Sequence, residues 1–451
     1  LETKLFPCLV DMRFKGVRVD LEKADQIKKN LINRERKLIN KIKDLTGVDV
    51  EIMAARSIAK AFDKLKLPYD RTEKSKEPSF TKNFLQNHPH ELPKLIADAR
   101  EINKAHTTFI DSITKHAVNG RIHADINQIR SDQGGTVTGR FSMSNPNLQQ
   151  IPARHPELGP MIRSIFIPEE KHTWGSFDYS QQEPRLVVHY ALKNGFHGAG
   201  EMAEEYREDP DTDFHEIVAR MAKITRKQAK TINLGLFYGM GKNKLARSLE
   251  LEDDEAKELF EKYHSQVPFV RKLSQGLQDF AEKNKNIYTL EDRFCRFDKW
   301  EPINKEWNPE KGIFEISDYQ EVDGKKQIVK IPVPILKRDE AENRYHAEKA
   351  KNRHESDPHG QYFERHYRPA FTYKALNRLI QGSAADMTKK AMVDLYEQGI
   401  IPHIQIHDEL CFSIKDDKQA DKIKSIMEDA IKLEVPNKVD YESGPNWGTI
   451  K

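Results

Sequence analysis

Residues Ile404 to Ile414 alternate as two short strands, yet the turn between them carries Asp408 and Glu409. Tight hairpin turns favour Gly and Asn, so two adjacent carboxylates oppose the local backbone preference and point to function. The tetrapeptide His407-Asp408-Glu409-Leu410 also spells a retention signal, but such signals are read only at a C-terminus. A second acidic strand end lies far upstream. Thr173 to Asp178 reads as a strand, and Pro184 fits the following helix only in its first turn. Asp178 at the strand's end can bind Mg2+ or cap the helix, and Ser180 with Glu183 equally fits a plain capping box. If the two strands are neighbours, Asp178 and Asp408 can hold two metal ions about 3.5–4 Å apart. The spacing therefore asks for a fold that joins distant segments in one sheet.

Between them, Arg226, Lys230, Leu234 and Tyr238 recur every four residues, so one helix face presents two cations, an apolar contact and a ring. The cations lie near the helix N-terminus, where free N–H groups favour phosphate, and the ring lies two turns on, at base distance. Gly239 and Gly241 end the helix. A solvated amphipathic helix fits the same spacing.

Length and composition set limits. A chain of 451 residues with 37% hydrophobic residues buries a sizeable core in about two to four units. Lys and Arg total 74 against 71 Asp and Glu, so net charge is +3 and any nucleic-acid surface must be local. Cys8, Cys295 and Cys411 are too few and scattered for a disulfide framework or zinc site, which suits a reducing compartment. No apolar run approaches the roughly 18 residues of a membrane span. The first residue, Leu1, suggests a fragment or processed product.

In chain order, residues 5–20 read as a short entry, followed by a charged helix with an apolar stripe at Ile27, Leu31, Leu38, Ile42 and Leu45, stopped near Gly47. Residues 68–82 form a basic, Pro-punctuated loop, and a second helix runs from Leu92 to His116. A strand near Gly120–Asn127 leads to the amide-rich segment Thr136 to Pro152, by composition a loop. Ala375 to Asp386 reads as a helix with Asn377 and Gln381 one turn apart, where Gly382 allows close backbone approach. Residues 298–365 read as a hairpin around Asp323-Gly324 and a charged helix near Lys337–His354, a solvated insertion.

The motifs at Thr136–Pro152, Thr173–Arg185, Arg226–Gly241, Ala375–Asp386 and His407–Glu409 occur in the order found in family A DNA polymerases, which the chain closely resembles over nearly its whole length apart from 298–365. The resemblance implies an α+β right-hand fold with an antiparallel palm sheet, helical fingers and a helical thumb. It divides the chain into a remnant of an upstream region (1–16), thumb (17–120), palm (121–200 and 375–451) and fingers (201–374, with the insertion at about 298–365). It implies that Asp178 and Asp408, helped by the Tyr179 carbonyl, bind two Mg2+ ions, that Glu409 supports them, and that Lys230 shares in catalysis. Arg226, Lys230 and His215 would hold the triphosphate, with Leu234, Tyr238 and Gln181 near the nucleotide and Glu183 obstructing a ribose 2′-hydroxyl. Arg140, Asn147, Gln150, Arg185, Asn377, Gln381 and His407 would hold primer–template DNA. Implied partners are primer–template DNA, dNTPs and replication accessory proteins, without membrane, in the cytoplasm of a bacterial or phage-infected cell and associated with the nucleoid.

Departures are visible too. Gln150 stands where the family usually has Asn, Leu234 where it has Phe or Tyr, and Gln182 and Pro184 where it has apolar residues. No complete 3′–5′ exonuclease domain fits ahead of the thumb. Two rival readings are a single-subunit RNA polymerase, which Glu183 opposes, and a DNA-binding module with a defunct site, which the two metal carboxylates oppose.

Overall fold

The computed structural model describes the chain except residues 73–74, 132–133, 154, 238–241, 250, 310, 323–324, 353–362 and 451. Helix α1 (Glu2–Lys15) buries Leu5, Cys8, Leu9 and Met12 in the largest core. The expected remnant at 1–16 is thus an integral layer, because every third or fourth residue of α1 is apolar and faces the core. Asp20 caps α2 (Leu21–Thr46) by accepting from the Lys23 N–H at 2.9 Å, and Gly47 ends it in the left-handed conformation. Helix α3 (Glu91–Lys104) packs along α2, and together they close a separate small core around Ile42, Phe62, Phe80, Leu92 and Ile96. Arg100 extends from α3 to the carbonyls of Ile52 (2.6 Å) and Phe80 (2.9 Å), fixing both ends of the intervening segment, which holds the helix Ala55–Lys64, to this helical pair.

Strand β1 (Thr173–Tyr179) is followed by α4 (Gln182–Lys193), α5 (Phe214–Ala222) and α6 (Arg226–Phe237). Further on, β2 (Asn286–Tyr288) and β3 (Phe294–Arg296) form a hairpin, and β4 (Ile313–Val322) pairs with β5 (Lys325–Pro332). The hairpin expected around Asp323-Gly324 is therefore present, with its two turn residues outside the described positions. The charged helix expected beyond it spans Arg338–Asn352.

Helix α7 (Ala375–Glu397) runs through the centre of the molecule, touching α1, α4 and the β2–β3 hairpin. The close approach expected at Gly382 is that hairpin: a Cβ there would meet the Thr289 methyl at 2.6 Å. Arg293, at the hairpin turn, donates to the carbonyls of Gly382 (2.8 Å) and Thr138 (2.9 Å) and grips the fully buried Asp386 through two nitrogens, at 2.8 and 3.1 Å. One turn on, the fully buried Lys389 ammonium meets Glu2 of α1 at 2.6 Å and the Gln128 carbonyl at 3.1 Å.

The last strands are β6 (Ile404–Ile406), β7 (Glu409–Ile414) and β8 (Val439–Gly444), and the antiparallel sheet has the order β6-β7-β1-β8. Alternation along β1 divides its side chains between two cores, Trp174 into one and Phe177 and Tyr179 into the other. Full burial of a side chain such as Phe177 contributes about 1.5–3 kcal/mol, which fixes the strand's register.

Candidate active site

The register of the sheet decides what the acidic residues do. Asp178 on β1 lies directly opposite Glu409 on β7 and Asp440 on β8, so three carboxylates form a row across three strands. Asp408 precedes β7 after His407, whose φ of 55° turns the chain, and its carbonyl accepts from the Tyr179 N–H at 3.3 Å. Sequence reasoning found Asp178, Asp408 and Glu409 but missed Asp440 and Glu442; the alternating Asp440 and Glu442 in an otherwise ordinary strand was the available signal.

Like charges placed opposite one another across strands are destabilising, so this row needs a counter-charge. Asp178 is open to solvent on the cleft side and crowded elsewhere. Lost hydration and then repulsion from Asp408, Glu409, Asp440 and Glu442 raise its carboxyl above the ordinary value. Four acids thus crowd a carboxylate that water still reaches. Asp408 is raised as well, by burial first, with Arg140 opposing and Glu183 and Glu409 adding repulsion. Lys438 lies 3.2 Å from Asp440 and is shared with Asp211. Glu409 is oriented by the Ser176 hydroxyl, which donates to it at 2.5 Å. Among the described residues no three His, Cys, Asp or Glu side chains converge as a closed metal site. Two under-neutralised carboxylates and backbone oxygen instead suit a hard, oxygen-seeking divalent cation that keeps open positions.

Across the start of α4 lies the cationic group. Asp213 caps α5 by accepting from the N–H groups of His215 (2.7 Å) and Glu216 (3.2 Å), and its other oxygen takes Arg226 Nε at 3.1 Å. Arg226 is thereby held at the N-terminus of α6, one turn before Lys230, which is exposed and forms no ion pair among the described residues. Leu234 follows half-buried and outside the core, whereas Leu236 packs against it, so the Arg226–Lys230–Leu234 face is the one turned away from the core. Tyr238 lies outside the described residues.

His215 is neutral, its pKa pushed down to about 4 chiefly by burial. The Tyr263 hydroxyl donates to Asn233 Oδ1 at 2.5 Å, which leaves Asn233 Nδ2 to donate to His215 Nδ1 at 3.0 Å. This assignment places the histidine proton on Nε2, making His215 a neutral donor. Asn233 and Asp213 escaped the sequence reading; a fully buried Asn on an otherwise apolar helix face is the trace Asn233 leaves.

Three expected residues meet beside Asp408. Arg140 donates to Glu183 at 2.7 Å, and both influence the protonation of His407 and Asp408. Asn377 and Gln381 stand half-buried one turn apart on α7 and have no hydrogen-bond partner among the described residues. Asn147 caps the turn Leu148–Gln150, and Gln150 is exposed. Gln149 bonds Gln405 at 3.0 Å, tying this segment to the acidic hairpin.

Two expectations are corrected. Arg185 is 1% exposed and donates to the carbonyls of Ser180 (2.8 Å), Pro436 (2.7 Å) and Pro210 (2.5 Å), with its guanidinium over Tyr206. Each of its three guanidinium nitrogens is bonded to a carbonyl inside the protein, which gives Arg185 a structural place rather than an open face toward DNA. Gln181 likewise does not face a nucleotide with a free amide: Nε2 donates to the Thr212 carbonyl at 2.8 Å and Oε1 accepts from the Phe214 N–H at 2.7 Å. It clasps the strand end bearing Asp178 to the loop bearing Asp213.

A family model described as DNA polymerase family A matches residues 21–311 and 336–449. Its gap, 312–335, coincides with the β4–β5 hairpin and is narrower than the 298–365 inferred from sequence. The chain is 33% identical over 499 residues to a DNA-directed DNA polymerase of Pseudomonas phage M6, covering 99% of this chain and 65% of that protein. It is 28% identical over 467 residues to DNA polymerase I of Geobacillus stearothermophilus, covering 100% of this chain and 46% of that one. It thus spans about half to two thirds of the length of these relatives. The solved POL domain of Pol1 from M. smegmatis, in complex with DNA primer-template and dNTP, matches with a TM-score of 0.72 at 24% identity, over 99% of this chain and 70% of that one, a likeness of fold. No described helix is long and apolar enough to cross a membrane. The architecture is the α+β right-hand polymerase fold, and the chain belongs to DNA polymerase family A.

Proposed function

We propose that this chain is a template-directed DNA polymerase that extends a primer 3′-hydroxyl with dNTPs. The observation that carries the reading is the row Asp440–Asp178–Glu409, with Asp408 beside it, clasped through Gln181 to the Arg226–Lys230–His215 group. Family A DNA polymerases use divalent metal ions, and the donor chemistry here fits two Mg2+ held by Asp178, Asp408 and the Tyr179 carbonyl. When bound, such ions lower the pKa of the primer hydroxyl and neutralise the transferring phosphate. The 3′-oxygen forms a bond to the α-phosphorus as the bond to pyrophosphate breaks. Arg226, Lys230 and the neutral His215 donor bind the triphosphate, and Lys230 offsets charge on the departing pyrophosphate. Glu183, fixed by Arg140, stands against a ribose 2′-hydroxyl, and Leu234 and Tyr238 line the sugar and base. Arg140, Asn147, Gln150, Asn377, Gln381 and His407 hold primer–template.

The thumb is assigned to 17–120, the palm to 121–200 and 375–451 together with α1, and the fingers to 201–374, with 312–335 as an insertion relative to the family model. Replication accessory proteins are further partners, and the enzyme would work at the nucleoid of a bacterial or phage-infected cell. Primer extension on a recessed template with Mg2+, comparing dNTPs with rNTPs, tests the reading. Template-directed dNTP addition is expected; equal use of rNTPs would favour an RNA polymerase, and no addition of either would remove the assignment.

A further inference from the structure

The β2–β3 hairpin has two faces with different chemistry. Strand alternation sends Cys295 and Phe297 inward, while Tyr288 and Phe294, paired in register, stand on the outer face 52% and 47% exposed with ring centroids 6.3 Å apart. Arg296, on the same face, lies 4.7 Å over the Phe294 ring. Arg378 of α7 donates to the Arg296 carbonyl at 2.7 Å and covers the inward-facing Phe297 at 4.3 Å, which fastens the hairpin's inner face to α7. Burial depresses the Arg378 guanidinium, and the nearby exposed Arg130 acts in the same direction, against Asp298. Glu291 and Asp292 lie at the hairpin tip, beyond the rings.

Exposed large rings cost hydration, so the outer face of this hairpin is not explained by the fold alone. Flat rings interleaved with cations match one ligand chemistry, bases that stack joined by phosphates that pair. We propose that Tyr288, Phe294 and Arg296 form a binding platform for single-stranded nucleic acid outside the catalytic cleft. The platform is rigidly joined to the cleft wall, because Arg293, next in sequence to Phe294, is bonded to Thr138, Gly382 and Asp386. Bases would stack on the rings without sequence preference, and Arg296 would make binding fall with salt. This inference rests on the polymerase reading only for the strand's biological source.

The test is fluorescence anisotropy of the full chain with a short labelled oligothymidylate over a salt series, beside primer extension on a template with a single-nucleotide overhang. The double variant Tyr288→Ala/Phe294→Ala should weaken oligothymidylate binding at least tenfold while extension on the short overhang stays within twofold. Phe294→Tyr should retain binding, and Arg296→Gln should flatten the salt dependence by about 0.7 in log–log slope. Oligothymidylate affinity within twofold of wild type in the double variant would overturn the platform, as would an equal loss of blunt-duplex binding. A chain that binds the oligonucleotide through these residues but extends no primer would leave the platform standing and remove the polymerase reading.

Discussion

Asp386 and Asp178 are carboxylates on neighbouring walls of one molecule, and they are held in opposite ways. Asp386 is fully buried, gripped by two nitrogens of Arg293 and by the Glu291 N–H, and Lys389 one turn on is answered by Glu2. Asp178 is open to the cleft, and its neighbours across both flanking strands are acids. A buried charge with every lone pair answered fastens elements together; a carboxylate set among its own kind leaves room for an external cation. Charge alone does not distinguish structure from function in this fold, whereas the sign of the surroundings does.

The comparison can be broken most sharply at the acids. Asp178→Asn and Asp408→Asn should each slow single-turnover incorporation by at least about a thousandfold, roughly 4 kcal/mol, with primer–template affinity within about threefold. A variant within tenfold of wild type would sink the metal assignment. The opposite pattern is expected at the clamp: Arg293→Met leaves Asp386 buried without a cation and should cost about 3–5 kcal/mol of stability, read as a lower denaturant midpoint. Unchanged stability there would mean that the pair merely fills space.

Smaller effects refine the boundary between the two regimes. Leu234→Tyr places a planar, hydroxyl-bearing ring on the nucleotide face of α6 and should raise dideoxynucleotide use relative to dNTP by more than tenfold, about 1.4 kcal/mol, in single-turnover measurements. An unchanged ratio would show that Leu234 does not meet the sugar. The slightest effect concerns metal-free stability. The raised Asp178 carboxyl means that the folded state holds its proton more tightly than the unfolded chain, so this group's contribution to stability falls as pH rises above the ordinary carboxylate range. In EDTA near pH 8, Asp178→Asn should therefore melt roughly 1–2 °C above wild type, and Mg2+ should raise the midpoint of wild type more than that of the variant. A variant that melts below wild type in EDTA would contradict the repulsion inferred from the register.

Much of this architecture is legible in the sequence where the signal is local. The acidic turn, the strand ending at Asp178 and the four-residue period of α6 each lie within about a dozen residues, and the structure has a strand, a turn or a helix where each was expected. What escaped is long-range and polar. Nothing in the spacing around Arg185 says that carbonyls of Pro210 and Pro436 will consume its donors, and nothing near Gln181 announces Thr212 and Phe214. The packing of helix α1 into the core escaped for the same reason: its partner Lys389 lies far along the chain. Arg293 was passed over because a lone Arg in a turn has a dull sequence context, and only the fold supplies three elements for it to join.

The inner position of β1, with ladders on both edges, sets an order in which the molecule comes apart. Amides of a strand laddered on both edges exchange with solvent when the sheet opens, whereas the α2–α3 pair, closed over its own small core, can open by itself. Mild heating or denaturant would then release the helical pair while the acids remain in register. A partly melted molecule of this kind would lose its hold on a long duplex yet keep the row of carboxylates assembled.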